Sequence, residues 1–369
     1  MKQTVMVILD GMQDIAYPAL ENKTPYESGR GESFRELEQS SATGRLRTTP
    51  SGFEADTQTC VLTLLGALPN QIPPGRSYIE ALALGLAVGD DDIIMRCNFV
   101  QVDERGRLAV PCCNAPDDIA KALREAVAAQ PGNAVMPVGS YKSLQIIAGE
   151  RMSLGGLVTS TPHQHAMEPF EQLLPRGNAL GERLAAFSRK QLEKRRPYTV
   201  LNWGAAVKDK LPGFGALHSG ISGAMVSKTD APMGIAAAMG MECPRIPTAT
   251  GDTDTDLAAK VEATLELAAR HDFVMLHIGG PDEATHRQDP AEKAAFIAKL
   301  DRECIAPLME RLPEGARMLV TCDHAALCKT AGHTEDPVDF WMWEKGKKLD
   351  DDLGERDGTQ AVSLLLGNR

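Results

Sequence analysis

The sequence predicts an α/β protein: a wound, largely parallel sheet flanked by helices, carrying a smaller inserted α+β domain. Three observations predict it. Apolar, β-branched runs stop abruptly at Gly, Pro or Asp: "TVMVIL" before Asp10-Gly11, "FVMLHI" before Gly279-Gly280-Pro281, and "RMLVT" before Cys322-Asp323. Between the last two, and before them, lie segments such as "DTDLAAKVEATLELAARH" and "DPAEKAAFIAKLDRECIAPLMERL", whose apolar residues recur every three or four positions as on one face of a helix. Strands alternating with helices imply βαβ units and a parallel sheet. Third, the middle of the chain has short strand candidates, "IIMRCNFVQVD", "GNAVMPVG" and "SLQIIAG", joined by turns.

The middle stretch is expected to be an insertion over residues 86–189, splitting a core domain made of residues 1–85 and 190–369. The basic run "RKQLEKRR" is read as a solvated face or linker at the return point, with "YTVLNWG" and "GAMVSK" as further sheet strands.

Composition limits the function. The chain has 369 residues, 43% hydrophobic and 24% charged, with a mean hydropathy of -0.21, enough for a sizeable core and about two domains. A formal charge of -11 argues against nucleic acid as a partner, although a local basic pocket could still take a small phosphate. "TVMVIL" is cut off by Asp10, too short for a signal-peptide core, and no run approaches the roughly 18 apolar residues of a membrane span. A cytoplasmic protein is expected, without a membrane partner; oligomeric state is not encoded legibly. Eight scattered cysteines, with no CxxC pair, read as reduced structural thiols, and the vicinal Cys112-Cys113 is assigned no role.

In a parallel sheet, ligands bind beyond the carboxyl ends of the strands. Asp10, Asp282, His286, Asp323 and His324 all fall there, and His333 follows nine residues after His324. Separately each has an ordinary explanation: a turn at Asp10-Gly11, or a cap and a surface histidine at Asp282 and His286. Three strand ends sharing the accident point instead to metal. Carboxylates and imidazoles without thiolates suit Mn, Zn, Mg or Co, and six such residues exceed what one four-coordinate ion needs, so two divalent ions are predicted. Such a pair supports phosphoryl transfer. A nucleophile is offered by "TTPSGFEADTQTCVLTLLG", where a loop precedes a helix-like run and Thr57 falls near a helix N-terminus, a favourable place for phosphate. Thr57 or Thr59 serving only as an N-cap is the alternative.

Taken together, "VMVILDGMQD", "GRSYIEALALGL", "MRCNFV", "PTATGDTDTDLAAKVEA", "HIGGPDEATH" and "TCDHAALCKTAGHTEDPV" resemble, in order and over nearly the whole chain, the archaeal-type 2,3-bisphosphoglycerate-independent phosphoglycerate mutases of the alkaline phosphatase superfamily. The resemblance implies an alkaline-phosphatase-like sheet and an inserted cap domain. It also implies that Asp282, His286 and His333 hold one metal, while Asp10, Asp323, His324 and the nucleophile hold the other, with Mn or Zn ahead of Mg or Co. The family commonly has a serine nucleophile; ungapped comparison places Thr57 there, and a shifted one places Ala55, which has no hydroxyl. Arg76 and Ser77 in "GRS", Arg96 and Asn98 in "MRCNFV", and Lys228 after "GAMVS" are the implied substrate-binding residues. His163 and His165 form an H-x-H that is open between a cap-domain role and a separate metal site.

Three functions are therefore expected in order: a mutase interconverting 3- and 2-phosphoglycerate through a phosphothreonine; a metal-dependent phosphatase, phosphodiesterase, phosphonate hydrolase or phosphotransferase on another small phosphorylated substrate; and a metal-stabilised binding protein without catalysis.

Overall fold

The computed structural model describes residues 3–367, apart from the side chains of residues 163 and 164, so His163 lies outside the described residues. The chain forms two compact units, one from the segments ending at Ile72 and beginning at Leu211, the other from Pro73–Lys210.

The first unit is built on a seven-stranded sheet ordered Asp352–Asp357, Ala42–Arg47, Val338–Glu344, Arg317–Thr321, Thr4–Leu9, Phe273–Ile278, Gly223–Val226. Thr4–Leu9 runs parallel to both neighbours, and Gly223–Val226 parallel to Phe273–Ile278. The three apolar runs singled out in the sequence are thus the three adjacent central strands. Thr4–Leu9 and Phe273–Ile278 are buried at every position, which is why they carry no polar alternation. Register matters for the site: Ile8 pairs with His277 on one side and Thr321 on the other, so the three strands end level. The chain departs from all three at one rim of the sheet.

The helical pattern over 289–312 is realised as two α-helices, Pro290–Leu300 and Ala306–Arg311, joined by a π-helical turn, Asp301–Ile305. Pro307 has no N–H and its ring would meet the carbonyl four residues earlier; widening the turn relieves both. The turn also directs the Asp301 carboxylate to the N–H groups of Gly31 at 3.2 Å and Phe34 at 2.7 Å. It thereby caps the helix Glu32–Ser40, whose own N-cap, Gly31, has no side chain to do so.

The second unit is α+β. Its ten-residue strand Ile93–Val102 pairs antiparallel with Leu108–Val110, Lys142–Ile147 and Tyr198–Val207, and Asn133–Val138 extends the sheet. The helix Asp117–Ala128 covers one face through Leu123 and Val127, packed with Phe99 and Val200. Ser77–Ala83 packs Tyr78 and Ala81 against Ile94 and Leu144.

The unit extends beyond the expected bounds of 86–189. "YTVLNWG" is not a strand of the parallel sheet but part of Tyr198–Val207, hydrogen-bonded to Ile93–Val102. "RKQLEKRR" is not a linker: its first seven residues end the helix Ala179–Arg195, with Leu192 buried beside Val100 and Leu201. The helix is amphipathic, and its charged residues conceal a packed face. Among the described residues no helix is long and apolar enough to cross a membrane, and none of the eight cysteines forms a disulfide.

Candidate metal centre

Each metal-ligand candidate of the first unit is placed by a short, specific device. Asp10 follows the central strand directly, its N–H donating to Ile278 O at 3.0 Å, so the backbone stays in the ladder while the side chain leaves it. Gly11 then turns the chain with φ +62°, and its N–H donates to Asp323 Oδ1 at 3.2 Å. A Cβ here would lie 2.8 Å from both Ala326 Cβ and Asp282 Oδ1, so the glycine is required by space as well as by conformation. Asp323 and His324, both wholly buried, follow the strand Arg317–Thr321. Asp282 and His286 lie one turn apart on the helix Gly280–His286. His333 sits on the hairpin strand Gly332–Thr334, opposite Ala326 of Ala325–Leu327.

These devices bring all six together. His286 Nε2 lies 3.1 Å from Asp282 Oδ2 and His333 Nε2 lies 3.2 Å from Asp282 Oδ1. His324 Nε2 is 3.6 Å from Asp10 Oδ1 and 3.5 Å from Asp323 Oδ2, and its ring stacks on that of His333 at 3.8 Å between centroids. Donor atoms of three residues cluster in three groups: Asp282, His286, His333; Asp10, Asp282, His324; and Asp10, His277, Asp323.

The hydrogen bonds around the cluster fix which nitrogen faces it. His286 Nδ1 donates to Ala331 O at 3.2 Å and His333 Nδ1 donates to Ala55 O at 2.9 Å. A carbonyl can only accept, so both rings keep their proton on Nδ1 and turn the Nε2 lone pair inward, the arrangement of metal-binding histidines. Asp10 Oδ1, Asp282 Oδ1, Asp323 Oδ2, His324 Nε2 and His333 Nε2 are buried and make no hydrogen bond. Buried polar atoms left without partners are costly unless a ligand completes them.

Electrostatics agree. Burial, reinforced by the charges of Asp323 and Asp282, pushes the Asp10 carboxyl well up. Asp282 is held well below the usual range although burial opposes it, because His286 and His333 offset that penalty. His286 is pushed up to about 9, chiefly by Asp282. Three buried carboxylates demand positive charge, and divalent cations fit both the charge and the N/O donor set.

Thr57 is the first residue of the helix Thr57–Leu64, and it is half-buried. Neither Thr57 nor Thr59 is the cap: Asp56 is, accepting from Thr59 N at 2.8 Å. The His333 to Ala55 bond ties this loop to the cluster two residues before Thr57, and the Asp56 charge reaches His324. Ala55 therefore contributes a backbone carbonyl, on the histidine's outer nitrogen.

Lys228 is exposed just after the edge strand Gly223–Val226. Within the second unit, Arg96 is buried, stacked over Trp203 at 4.5 Å, with Nε donating to Glu80 Oε2 at 2.8 Å. Arg76 Nε and Lys142 Nζ approach Glu80 Oε1 at 3.4 and 3.7 Å. The Ser77 hydroxyl donates to Gly204 O at 2.6 Å and keeps its capacity to accept. Asn98 is buried, its Nδ2 directed to Cys112 Sγ at 3.7 Å. His165 joins Glu168 on the surface at 3.1 Å, and no described metal-type cluster includes it.

Sequence reasoning missed Glu80 and Lys142, which organise the arginines, and His277, which joins Asp10 and Asp323. The signal for His277 was present: it is the one polar side chain in "FVMLHI", a strand buried throughout.

A family model described as the Metalloenzyme superfamily matches residues 2–363. The chain belongs to this superfamily. Among curated relatives, the 2,3-bisphosphoglycerate-independent phosphoglycerate mutase of Methanothrix thermoacetophila is 28% identical, covering 99% of this chain and 97% of that one. The mutase of the same name from Methanopyrus kandleri is also 28% identical, covering 99% and 93%. Among solved structures, the PH0037 protein of Pyrococcus horikoshii superposes with a TM-score of 0.76 at 22% identity, covering 100% and 98% of the two chains. The cofactor-independent phosphoglycerate mutase of Thermoplasma acidophilum gives 0.61 at 21%, covering 100% and 99%. These two structures share the fold. Superfamily membership and the converging donor set agree on a centre for divalent metal.

Proposed function

We propose that the chain is a cofactor-independent phosphoglycerate mutase, interconverting 3- and 2-phosphoglycerate through a phosphothreonine at Thr57. The observation that carries this reading is the convergence of six carboxylate and imidazole ligands with the loop that ends in Thr57, in a chain similar along its whole length to proteins of that name.

On this reading Asp282, His286 and His333 hold one ion, and Asp10, Thr57, Asp323 and His324 the other, with Mn or Zn preferred and Mg or Co possible substitutes. Two divalent ions would acidify an alcohol and neutralise phosphoryl oxygens. The Thr57 hydroxyl gives up its proton and its oxygen attacks phosphorus as the bond from phosphorus to the 3-oxygen of the substrate breaks; the 3-oxygen takes up a proton and leaves glycerate beside a phosphothreonine. The 2-hydroxyl then loses its proton and attacks phosphorus, and the bond from phosphorus to Thr57 breaks as the threonine oxygen regains a proton. Thr57 at the first helical position lies at the positive end of the helix dipole, which favours the phosphoryl charge. Arg76, Arg96, Ser77, Asn98 and Lys228 are proposed to bind the substrate's anionic and hydroxyl groups. The protein works in the cytoplasm on a small phosphorylated substrate, without nucleic acid or membrane.

A second reading is favoured by the threonine itself. If water or another alcohol takes the phosphoryl group from Thr57, the same centre serves a phosphatase, phosphodiesterase, phosphonate hydrolase or phosphotransferase. A coupled assay with 3-phosphoglycerate, run with Mn and with Zn, decides between them. Formation of 2-phosphoglycerate is expected; inactivity on phosphoglycerates combined with turnover of nitrophenyl phosphates overturns the mutase reading.

A further inference from the structure

We infer that His277 is an additional metal ligand, binding through Nε2 the ion held by Asp10 and Asp323. The inference rests on the metal-centre reading and is independent of which phosphoryl reaction follows.

His277 is in the buried strand Phe273–Ile278, level with Ile8, two residues before Asp10 on the adjacent parallel strand. Ile8 and Asp10 share a side of the sheet, and His277 faces it. Its Nε2 lies 3.4 Å from Asp10 Oδ2, within the cluster formed with Asp323.

Two interactions could bring an imidazole so near a carboxylate, a hydrogen bond or a shared cation. The separation exceeds the usual 2.7–3.2 Å of an N–H···O bond, and Nε2, wholly buried, makes no hydrogen bond at all. By contrast, two donors each about 2.0–2.2 Å from one ion, at the roughly 90–120° angles of a five-coordinate site, lie roughly 2.8–3.8 Å apart. The His324 contacts with Asp10 and Asp323, at 3.6 and 3.5 Å, have the same spacing.

The outer nitrogen is also provided for. His277 Nδ1 meets Thr229 Oγ1 at 3.3 Å, and that hydroxyl lies 3.4 Å from Ser227 Oγ. Ser227 Oγ already accepts from Thr229 N at 3.2 Å. Thr229 can thus accept the Nδ1 proton and pass its own hydroxyl proton to Ser227, leaving the Nε2 lone pair inward. This is the role that the carbonyls of Ala331 and Ala55 play for His286 and His333.

The test is cadmium NMR on the full chain labelled with nitrogen isotope in its histidines, with cadmium as the metal probe. The resonance of the Asp10/Asp323 ion is expected to couple to two imidazoles, those of His324 and His277. In His277→Gln it should couple to one, with affinity for that ion reduced at least about tenfold, while the Asp282/His286/His333 ion keeps both of its couplings. Unchanged coupling and affinity in His277→Gln would overturn the inference. Should that variant fail to fold, Thr229→Val replaces it: affinity for the same ion is expected to fall about ten- to a hundredfold, and unaltered affinity counts against the inference. A protein inactive on phosphoglycerate that still shows the second imidazole sinks the proposed reaction and leaves this ligand standing.

Discussion

The Nδ1 proton of His333 is donated to the backbone carbonyl of Ala55 over 2.9 Å. One bond thus fixes the tautomer of a candidate metal ligand and anchors the loop that presents Thr57. Since the acceptor is main chain, Thr57→Ala should leave His333 oriented and the ion of Asp282, His286 and His333 in place, as elemental analysis would show. Turnover is expected to fall at least about a hundredfold, a few kcal/mol of transition-state stabilisation. Thr57→Ser should remain active in the same coupled assay. Equal activity of Thr57→Ala and the parent would remove Thr57 from the mechanism.

Chelation should destabilise the fold as well as stop turnover. Asp10, Asp282 and Asp323 are buried in one another's fields, as the raised Asp10 carboxyl shows. A metal present at a thousand times its Kd adds about 4 kcal/mol per site. The melting temperature should therefore fall on dialysis against chelator and recover on adding Mn or Zn; an unaltered melting temperature would contradict a folded-state metal site.

Lys293 and Asp14, both with fully buried side chains, pair at 3.0 Å, and Lys293 also donates to Ala326 O at 2.8 Å. Asp14 Oδ2 accepts from Cys328 N at 3.2 Å as well, so the pair braces the hairpin that carries His333. Lys293→Met strands a buried carboxylate and should cost about 3–5 kcal/mol, measured by urea unfolding. Asp14→Asn added to it should recover part of that loss, and a purely additive double variant would deny the coupling.

Glu80 is surrounded by Arg96, Arg76 and Lys142. Burial alone would raise its carboxyl, but the Arg96 ion pair and hydrogen bonds, then the other two cations, hold it down at about 2. A depressed carboxyl contributes stability that is complete above the ordinary carboxylate range of about 4.3 and fades as pH falls towards the depressed value. Glu80→Gln should abolish this acid-side dependence and raise KM for a phosphorylated substrate more than it lowers kcat. An unchanged KM would separate the cluster from substrate binding.

Lys260 is almost wholly buried, with a contact to Thr250 O at 3.3 Å, and burial lowers its ammonium to about 8. Between that value and the ordinary lysine value of about 10.4, the unfolded chain holds more protons than the folded one, so stability should rise with pH. Below that window the charged amine is a standing penalty of about 3 kcal/mol at 1.36 kcal/mol per pH unit. Lys260→Met should be more stable than the parent at neutral pH and lose the alkaline rise; a less stable variant would show the amine is satisfied as an ion.

The parallel core was legible because buried strands write themselves as unbroken apolar runs. The six candidate ligands were legible because each follows such a run or belongs to a short spaced motif. His277 escaped because it sits inside a run, where a reader of periodicity counts strand and passes over chemistry. The limits of the second unit escaped for a different reason. Antiparallel pairing of Tyr198–Val207 with Ile93–Val102 is non-local, and nothing in "YTVLNWG" distinguishes a partner in one sheet from a partner in another. "RKQLEKRR" is charged at six of its eight positions, while only Gln191 and Leu192 reveal the buried side. The π turn at Asp301 was foreshadowed only by Pro307, and its capping of a helix begun at Glu32 could not be read from either segment alone.

The central strand Thr4–Leu9 has consequences for biosynthesis. The neighbours that bury it, Phe273–Ile278 and Arg317–Thr321, leave the ribosome more than 260 residues after it. At about 5–20 residues per second, a strand apolar at every position after Thr4 waits tens of seconds with both edges open. The nascent chain is thus a natural client for a chaperone that shields that hexapeptide. Metal cannot help it during the wait, because Asp282, Asp323 and His333 have not yet been made; loading the centre must follow the synthesis of His333.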